Sequence, residues 1–406
     1  MNTGGRLRML EVSMGVSLSL AIFFFGGVYP WVFLPLCAFL FLLTAVYSEG
    51  FTDHPFPSRL KTILFLLFVF IFYQRFFSSL SPHSTEIEFL KWAAFLAVIF
   101  LAQALPVSSV SRLLAALAIL GVLETVYAFY EVHSGMEKVL WQAKEAHRGY
   151  LTGTYFNRNH LAGFLELSLG AALGLSVEGF LKRHFPAVFA WGVCFFVLAG
   201  GLFLTGSRMG LFSFIGAILV FFPFLIKSAG KNSRPVLIFF ILLMAAAFLA
   251  GLPVLSERLA AFNGINWDGG RVLVWRSAGR MFHDYRWTGT GLGAFPWVFP
   301  AYQPAKLMMG WPHAHQDYLE LFSALGVLGF SLLMSAFLYF VRFFILKIKN
   351  SAVFPGPLVW GGLISIFSFL IHGFADFNFA IPANAFAFML TAACCLRLAR
   401  GEDPHA

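Results

Sequence analysis

The chain has 406 residues, 59% of them hydrophobic and 12% charged, with a mean hydropathy of +0.79 and a formal net charge of +9. This composition excludes a soluble domain of that length and reads as an all-α polytopic membrane protein. The positive charge forms no continuous basic stripe, so no nucleic acid is expected as a partner and membrane lipids are the surroundings.

A membrane-crossing helix needs about 20 mostly apolar residues. Twelve segments qualify, at residues 10–28, 30–48, 61–78, 88–105, 110–131, 160–178, 184–204, 209–227, 235–255, 317–345, 355–374 and 380–397. The first follows Arg6 and Arg8 and leads at once into the second without a small-residue cleavage site, so it reads as a retained helix. Lys and Arg in short loops resist translocation. With a cytoplasmic N-terminus, fifteen of the 28 Lys and Arg fall in inside segments, and only Arg75, Lys91 and Arg208 in short outside loops. Both termini are therefore expected in the cytoplasm, with two longer outside segments at about 132–159 and 256–316. The second separates helices 9 and 10 of a single integral domain spanning 1–406, and carries part of the site. Cys37, Cys194, Cys394 and Cys395 all lie inside apolar segments, with no CxxC spacing, so neither disulfides nor a cysteine metal site is expected.

Four outside motifs carry chemistry. In GTYFNRNH, Asn157, Arg158, Asn159 and His160 open the sixth span, either as substrate contacts or as a helix cap with interfacial anchors. TGSRMG places Arg208 in a short outside turn, against the positive-inside preference; it is either a functional cation or a snorkelling one. The third motif lies in the polar island Glu257 to Glu320, which also holds Arg258, Arg271, Arg276, Arg280 and Arg286. Guanidinium groups grip phosphate through paired planar hydrogen bonds that Lys cannot reproduce. Arg271 in GGRVLVW, between glycines and an apolar run, suits that role; Arg276 is a second candidate, although a solvated basic surface would equally account for Arg276, Arg280 and Arg286.

The fourth motif, HAHQDYLELFSALGVLG, begins at His313. His313 and His315 alternate and in an extended segment would share a face, which allows a metal pair, a general base or interfacial packing. HExxH is absent and no third His completes a site, so no metal is expected and a base is the more natural role. GTGLGAF at 289–295 imitates a dinucleotide-binding turn but lacks βαβ context. Glu124, Glu166, His372 and Asp376 are costly in hydrocarbon and should face the bundle interior. His372 and Asp376, four apart, are expected on one helical face near the outer surface.

In this order and on this side of the membrane, NRNH, SRMG, GGRVLVW, GTGLGAF, HAHQDYLE and HGFADF resemble the O-antigen ligase superfamily of bacterial glycan-transferring membrane proteins. The likeness covers the latter two-thirds of the chain. It implies a multispan C-type glycosyltransferase of the bacterial cytoplasmic membrane whose donor is a glycan on undecaprenyl diphosphate. The acceptor it implies is lipid A-core or a growing glycan, and no cofactor is implied. The family's functional arginines fall on Arg208 and Arg271 and its histidine on His315; Gln316 stands where the family has Asn. Fixed Arg donors stabilise a diphosphate leaving group without a metal. His315 would deprotonate the acceptor hydroxyl as it attacks the anomeric carbon from the opposite face, inverting it. The rival class is a lipid-linked oligosaccharide flippase, which would need cations distributed through the membrane core, whereas here they cluster on one side.

Overall fold

A computed structural model describes residues 3–48, 57–242, 270–307, 309–350 and 354–401, with the single positions 245, 249 and 252. The helices are α1 (Thr3–Phe23), α2 (Pro30–Tyr47), α3 (Ser58–Phe77), α4 (Pro82–Gln103), α5 (Val107–His133), α6 (Arg158–Leu181), α7 (Phe185–Thr205), α8 (Arg208–Ser228), α9 (Ser233–Leu242), α10 (Arg271–Asp284), α11 (Phe295–Val298), α12 (Asp317–Asn350), α13 (Pro357–His372) and α14 (Pro382–Arg400). A two-stranded hairpin, β1 (Lys138–Val139) and β2 (Gln142–Ala143), interrupts the α5–α6 connection.

Eight of these helices are long and apolar enough to cross a membrane, namely α2, α3, α5, α6, α7, α8, α12 and α14. The apolar α9 and α13 are shorter, and the part of the ninth expected span beyond residue 242 lies outside the described residues, as do Glu257, Arg258 and Gly269 of the polar island. The starts of the helices are written in the sequence. Proline occupies the first turn of α2, α4, α13 and α14, where its missing N–H is not needed. Asn157 caps α6 by accepting from Asn159 N at 2.9 Å, and Ser207 caps α8 by accepting from Gly210 N at 3.2 Å.

Helix α6 is the axis of the bundle, enclosed by α5, α7, α13 and α14. Close approach of α6 and α13 depends on paired glycines, because a Cβ on Gly170 or on Gly361 would run into the other's carbonyl oxygen. Small residues at such crossings let backbones pack where no hydrophobic force acts between helices.

The segment from α10 to Ala314 forms its own small core, with Val274, Ala278 and Met281 of α10 against Phe295, Val298, Phe299 and Ala314. It is joined to α12 at a break in that helix, where Gly326 takes φ 62° and the helical ladder fails. The glycine-rich turn at 289–293 fills the gap. Thr290 N and Gly291 N donate to Ser323 O and Ala324 O, both at 3.0 Å, while Val327 N and Leu328 N donate to Arg286 O and Trp287 O at 2.7 and 3.2 Å. Gln74 of α3 also donates to Ala324 O at 2.9 Å. The dinucleotide-like GTGLG string therefore has a structural use: Gly289 has φ 71°, and a Cβ there would collide with the Ala324 carbonyl.

Candidate functional site

The site lies at the end of the bundle where α6, α10, α12 and α14 begin and α13 finishes. The α5–α6 connection is fixed first. Lys144 pairs with Glu131 at 2.6 Å in a buried ion pair, and Glu124 accepts from Thr154 N and Thr154 Oγ1, both at 2.9 Å. Glu124 thus ties a loop to α5. This anchoring delivers Asn157 to its capping position, sets the Arg158 guanidinium over the Tyr150 ring at 4.2 Å, and turns His160 into the first turn of α6. Asn384 of α14 donates to the His160 carbonyl at 2.9 Å.

Asp376 is the hub. Helix α13 ends at His372, so Asp376 sits in the following turn, and the expectation that it shares a helical face with His372 is corrected. The turn is held by Asp317 N, which donates to the carbonyls of Gly373 at 2.8 Å and Asp376 at 3.0 Å. The Asp376 side chain, 1% exposed, lies 3.7 Å from His160 Nε2, 3.8 Å from His315 Nδ1 and 4.0 Å from Arg271 Nη2. These separations exceed hydrogen-bond length; Asp376 Oδ1 accepts instead from Phe377 N at 2.9 Å, with the three basic groups around it. Burial alone would raise the Asp376 pKa, yet the surrounding imidazoles and the Arg271 guanidinium hold it below the usual carboxylate range. Beneath it, Glu166 of α6 meets His372 Nδ1 at 2.6 Å and accepts from Ser368 Oγ at 2.7 Å, a buried polar layer under the hub.

His313 and His315 turn to different carboxylates. His315 has φ 50°, a left-handed conformation rare outside glycine, which sends the two rings apart. His313 Nδ1 turns to Glu320 Oε1 at 2.8 Å, whereas His315 Nδ1, buried and without a hydrogen-bond partner, turns toward Asp376. The Phe377 ring lies between them, stacked on His313 with centroids 4.3 Å apart and edge-on to both His315 and His160 at 4.6 Å. The segment is pinned from both sides, by Glu320 Oε2 accepting from Ala314 N at 2.8 Å and by Trp275 Nε1 donating to Ala314 O at 3.0 Å.

The two imidazoles titrate in opposite directions. Burial pushes His315 down to about 4, helped by Arg271 and opposed by Asp376, so it is a neutral acceptor at pH 7. Burial also pulls His313 down, but the Glu320 carboxylate more than offsets it and leaves the pKa raised. His147, with φ 58°, stands over the cluster: burial lowers its pKa first, with Arg158, Asp376 and Arg271 among its electrostatic neighbours.

Of the expected residues, His160, Arg271, His315 and Asp376 are brought together, with His313 beside them. Gln316 precedes α12 and its carbonyl accepts from Glu320 N at 3.1 Å. Arg208 is exposed as the first residue of α8; a Cβ on nearby Gly210 would lie 3.1 Å from Glu166 Oε1, so this helix also starts beside the buried polar layer. Arg276 is exposed and, five residues from Arg271, points about 140° away around α10. The sequence reading missed His147 and Phe377, and it counted Lys91 as a loop residue although the chain buries it within α4. Among the described residues no group of three or more His, Cys, Asp or Glu is disposed to hold a metal ion.

A family model described as O-antigen ligase matches residues 193–334, which contain Arg208, Arg271, His313 and His315. The match supports the O-antigen ligase superfamily and, at a general level, glycan transfer of the ligase or polymerase type. His160, His372 and Asp376 come from outside the matched stretch. No curated protein matches the chain.

Proposed function

We propose that this chain, a relative of the O-antigen ligases by that match, transfers a glycan from undecaprenyl diphosphate to an acceptor hydroxyl at the outer face of the bacterial cytoplasmic membrane. The observation that carries the reading is one buried carboxylate, Asp376, between the neutral imidazole of His315 at 3.8 Å and the Arg271 guanidinium at 4.0 Å. A base, a group that orients it and an anion-binding cation thereby meet at one point.

In the reaction His315 takes the acceptor proton through Nε2 while Asp376 faces Nδ1 and stabilises the imidazolium that forms. The acceptor oxygen bonds to the anomeric carbon as the bond from that carbon to the diphosphate oxygen breaks, and the electron pair leaves with the diphosphate. Arg271 and Arg208 stabilise that developing charge, aided by the positive ends of the helices that begin here. Attack opposite to the leaving group inverts the anomeric centre. No step calls for a metal ion. The low proton affinity of His315 keeps it free to accept, and closure of the Asp376 gap on substrate binding would strengthen it as a base.

Purified protein in nanodiscs, given undecaprenyl-diphosphate-linked glycan and lipid A-core, should form joined product, and Asp376→Asn should slow it severely while the lipid-linked donor still binds. Wild-type turnover in Asp376→Asn would overturn the mechanism. In a deletion strain, lipid-linked polymer that accumulates unattached marks a ligase, and core capped by a single repeat marks a polymerase.

A further inference from the structure

On the far side of His313 from Asp376 lies a cleft of about 560 Å³ that the transfer mechanism does not use. It is bounded by the outer ends of α2 and α4, the 292–297 loop, the first turns of α12 and the start of α14. Its volume falls within the range of about 300–1,000 Å³ typical of small-ligand sites. Two acid–base pairs line it: Glu88 with Lys91 of α4, and Glu320 with His313. Trp92 and Trp297 form aromatic walls, and Trp297 is 70% exposed at the rim. The glycine loop makes the shape possible, since Gly293 has φ 72° and a Cβ there would come within 2.7 Å of Glu88 Cγ.

The balance of charge identifies the class of ligand. Around Asp376 the Arg271 guanidinium stands 4.0 Å from the carboxylate, beyond hydrogen-bond length, and keeps its donors open to an anion. In the cleft Lys91 is paired with Glu88 and His313 with Glu320, and Asp317 adds a further carboxyl to the lining, so little is offered to a phosphate. Paired carboxylates and ammonium groups are hydrogen-bonding partners for hydroxyls, and indole faces pack against the C–H faces of a sugar ring. His313 belongs to the cleft and stacks on Phe377, whose edge meets His315, so a ligand here ends beside the reaction centre.

We propose that this cleft is a saccharide subsite, holding an uncharged sugar of one of the two substrates by stacking on Trp92 and Trp297 and hydrogen bonding to Glu88, Lys91 and Glu320. It rests on the glycan-transfer reading. The sugar belongs to either the donor glycan or the acceptor, and calorimetry on the purified full chain separates them with three probes: bare undecaprenyl diphosphate, the lipid-linked glycan, and core oligosaccharide freed of lipid by mild acid. Trp297→Ala, at an exposed position that tolerates change, should weaken one saccharide-bearing probe about tenfold, the loss expected of one aromatic stack. Binding of the bare carrier should stay the same, and Glu88→Gln should reproduce the pattern. Loss confined to the core oligosaccharide assigns the acceptor; loss confined to the lipid-linked glycan assigns the donor. Unchanged binding of both saccharide probes in both variants overturns the proposal, as does equal weakening of the bare carrier. If wild-type protein binds core oligosaccharide through Trp297 yet neither binds the carrier nor transfers glycan, the subsite stands and the transferase reading fails.

Discussion

The two sides of Phe377 make an instructive pair. Each presents a histidine from the three-residue stretch 313–315 to a carboxylate, yet the Glu320 side closes to 2.8 Å and the Asp376 side stays open at 3.8 Å. In the closed pair the Glu320 carboxylate outweighs burial and raises the His313 pKa; the open pair keeps an imidazole neutral, down at about 4, with a nitrogen uncommitted. Residue type does not decide the role. Whether the partner is already satisfied does, and environments that push two like groups apart mark which of them can exchange a proton.

The sharpest way to break this contrast is His315→Ala. Transfer should fall about 10²–10⁴-fold, the usual worth of a positioned base, while carrier binding persists. Single-turnover assay beside donor binding tests it, and retained turnover would sink the assignment. Arg271→Lys keeps the charge but loses the planar fork, and should cost roughly ten- to a hundredfold in rate, in line with about 1.5–3 kcal/mol for a hydrogen bond to a charged group. Arg276→Lys on the same helix should leave the rate within about twofold, since such exposed sites contribute little.

The pH profile comes next in size. A base is lost as pH falls through its own pKa, so a lowered His315 moves the acid limb of kcat/KM toward pH 4. At pH 5.5, where an ordinary imidazole near 6.5 would be about nine-tenths protonated, the enzyme should keep most of its rate. An acid limb centred at 6.5 would contradict the open geometry. Glu320→Gln removes the charge that raises the His313 pKa but keeps an acceptor for Ala314 N, and a loss of less than about tenfold is expected. Chelation with EDTA should do least of all. Activity that vanishes with EDTA and returns with a divalent ion would recast the histidines as ligands.

Much of the helical framework was legible in advance because long apolar runs carry it. Each expected span overlaps a described helix, but eight of these helices meet the length and apolarity of a membrane crossing, and the ninth span passes out of the described residues. The break in α12 was not legible, since LGVLG at 325–329 continues the hydrophobic pattern and only the partner loop reveals why a helix stops there. In the site, Arg271, His160, His315 and Asp376 stood out because charged or titratable groups are rare in such a chain. Phe377 was invisible among 52 phenylalanines, and Lys91 read as a topology marker because its burial depends on Glu88 and on a loop two hundred residues away. The spacing of His313 and His315 puts them on one face only in an extended segment, and the left-handed φ at His315 departs from that condition.

The splice at Gly326 gives the chain a joint made of main chain. The glycine turn supplies the hydrogen bonds that α12 gives up, so the nine residues of α12 before the break are tied at one end to the 286–291 stretch and at the other, through Asp317 N, to the turn after α13. The joint is made of main-chain bonds, so Trp297, exposed at the rim of the cleft, can be exchanged to suit a different sugar without touching the hydrogen bonds that hold Asp317 to the Asp376 turn. Substrate preference and catalytic alignment are thereby mechanically separable, and redesign of the cleft can proceed on one without disturbing the other.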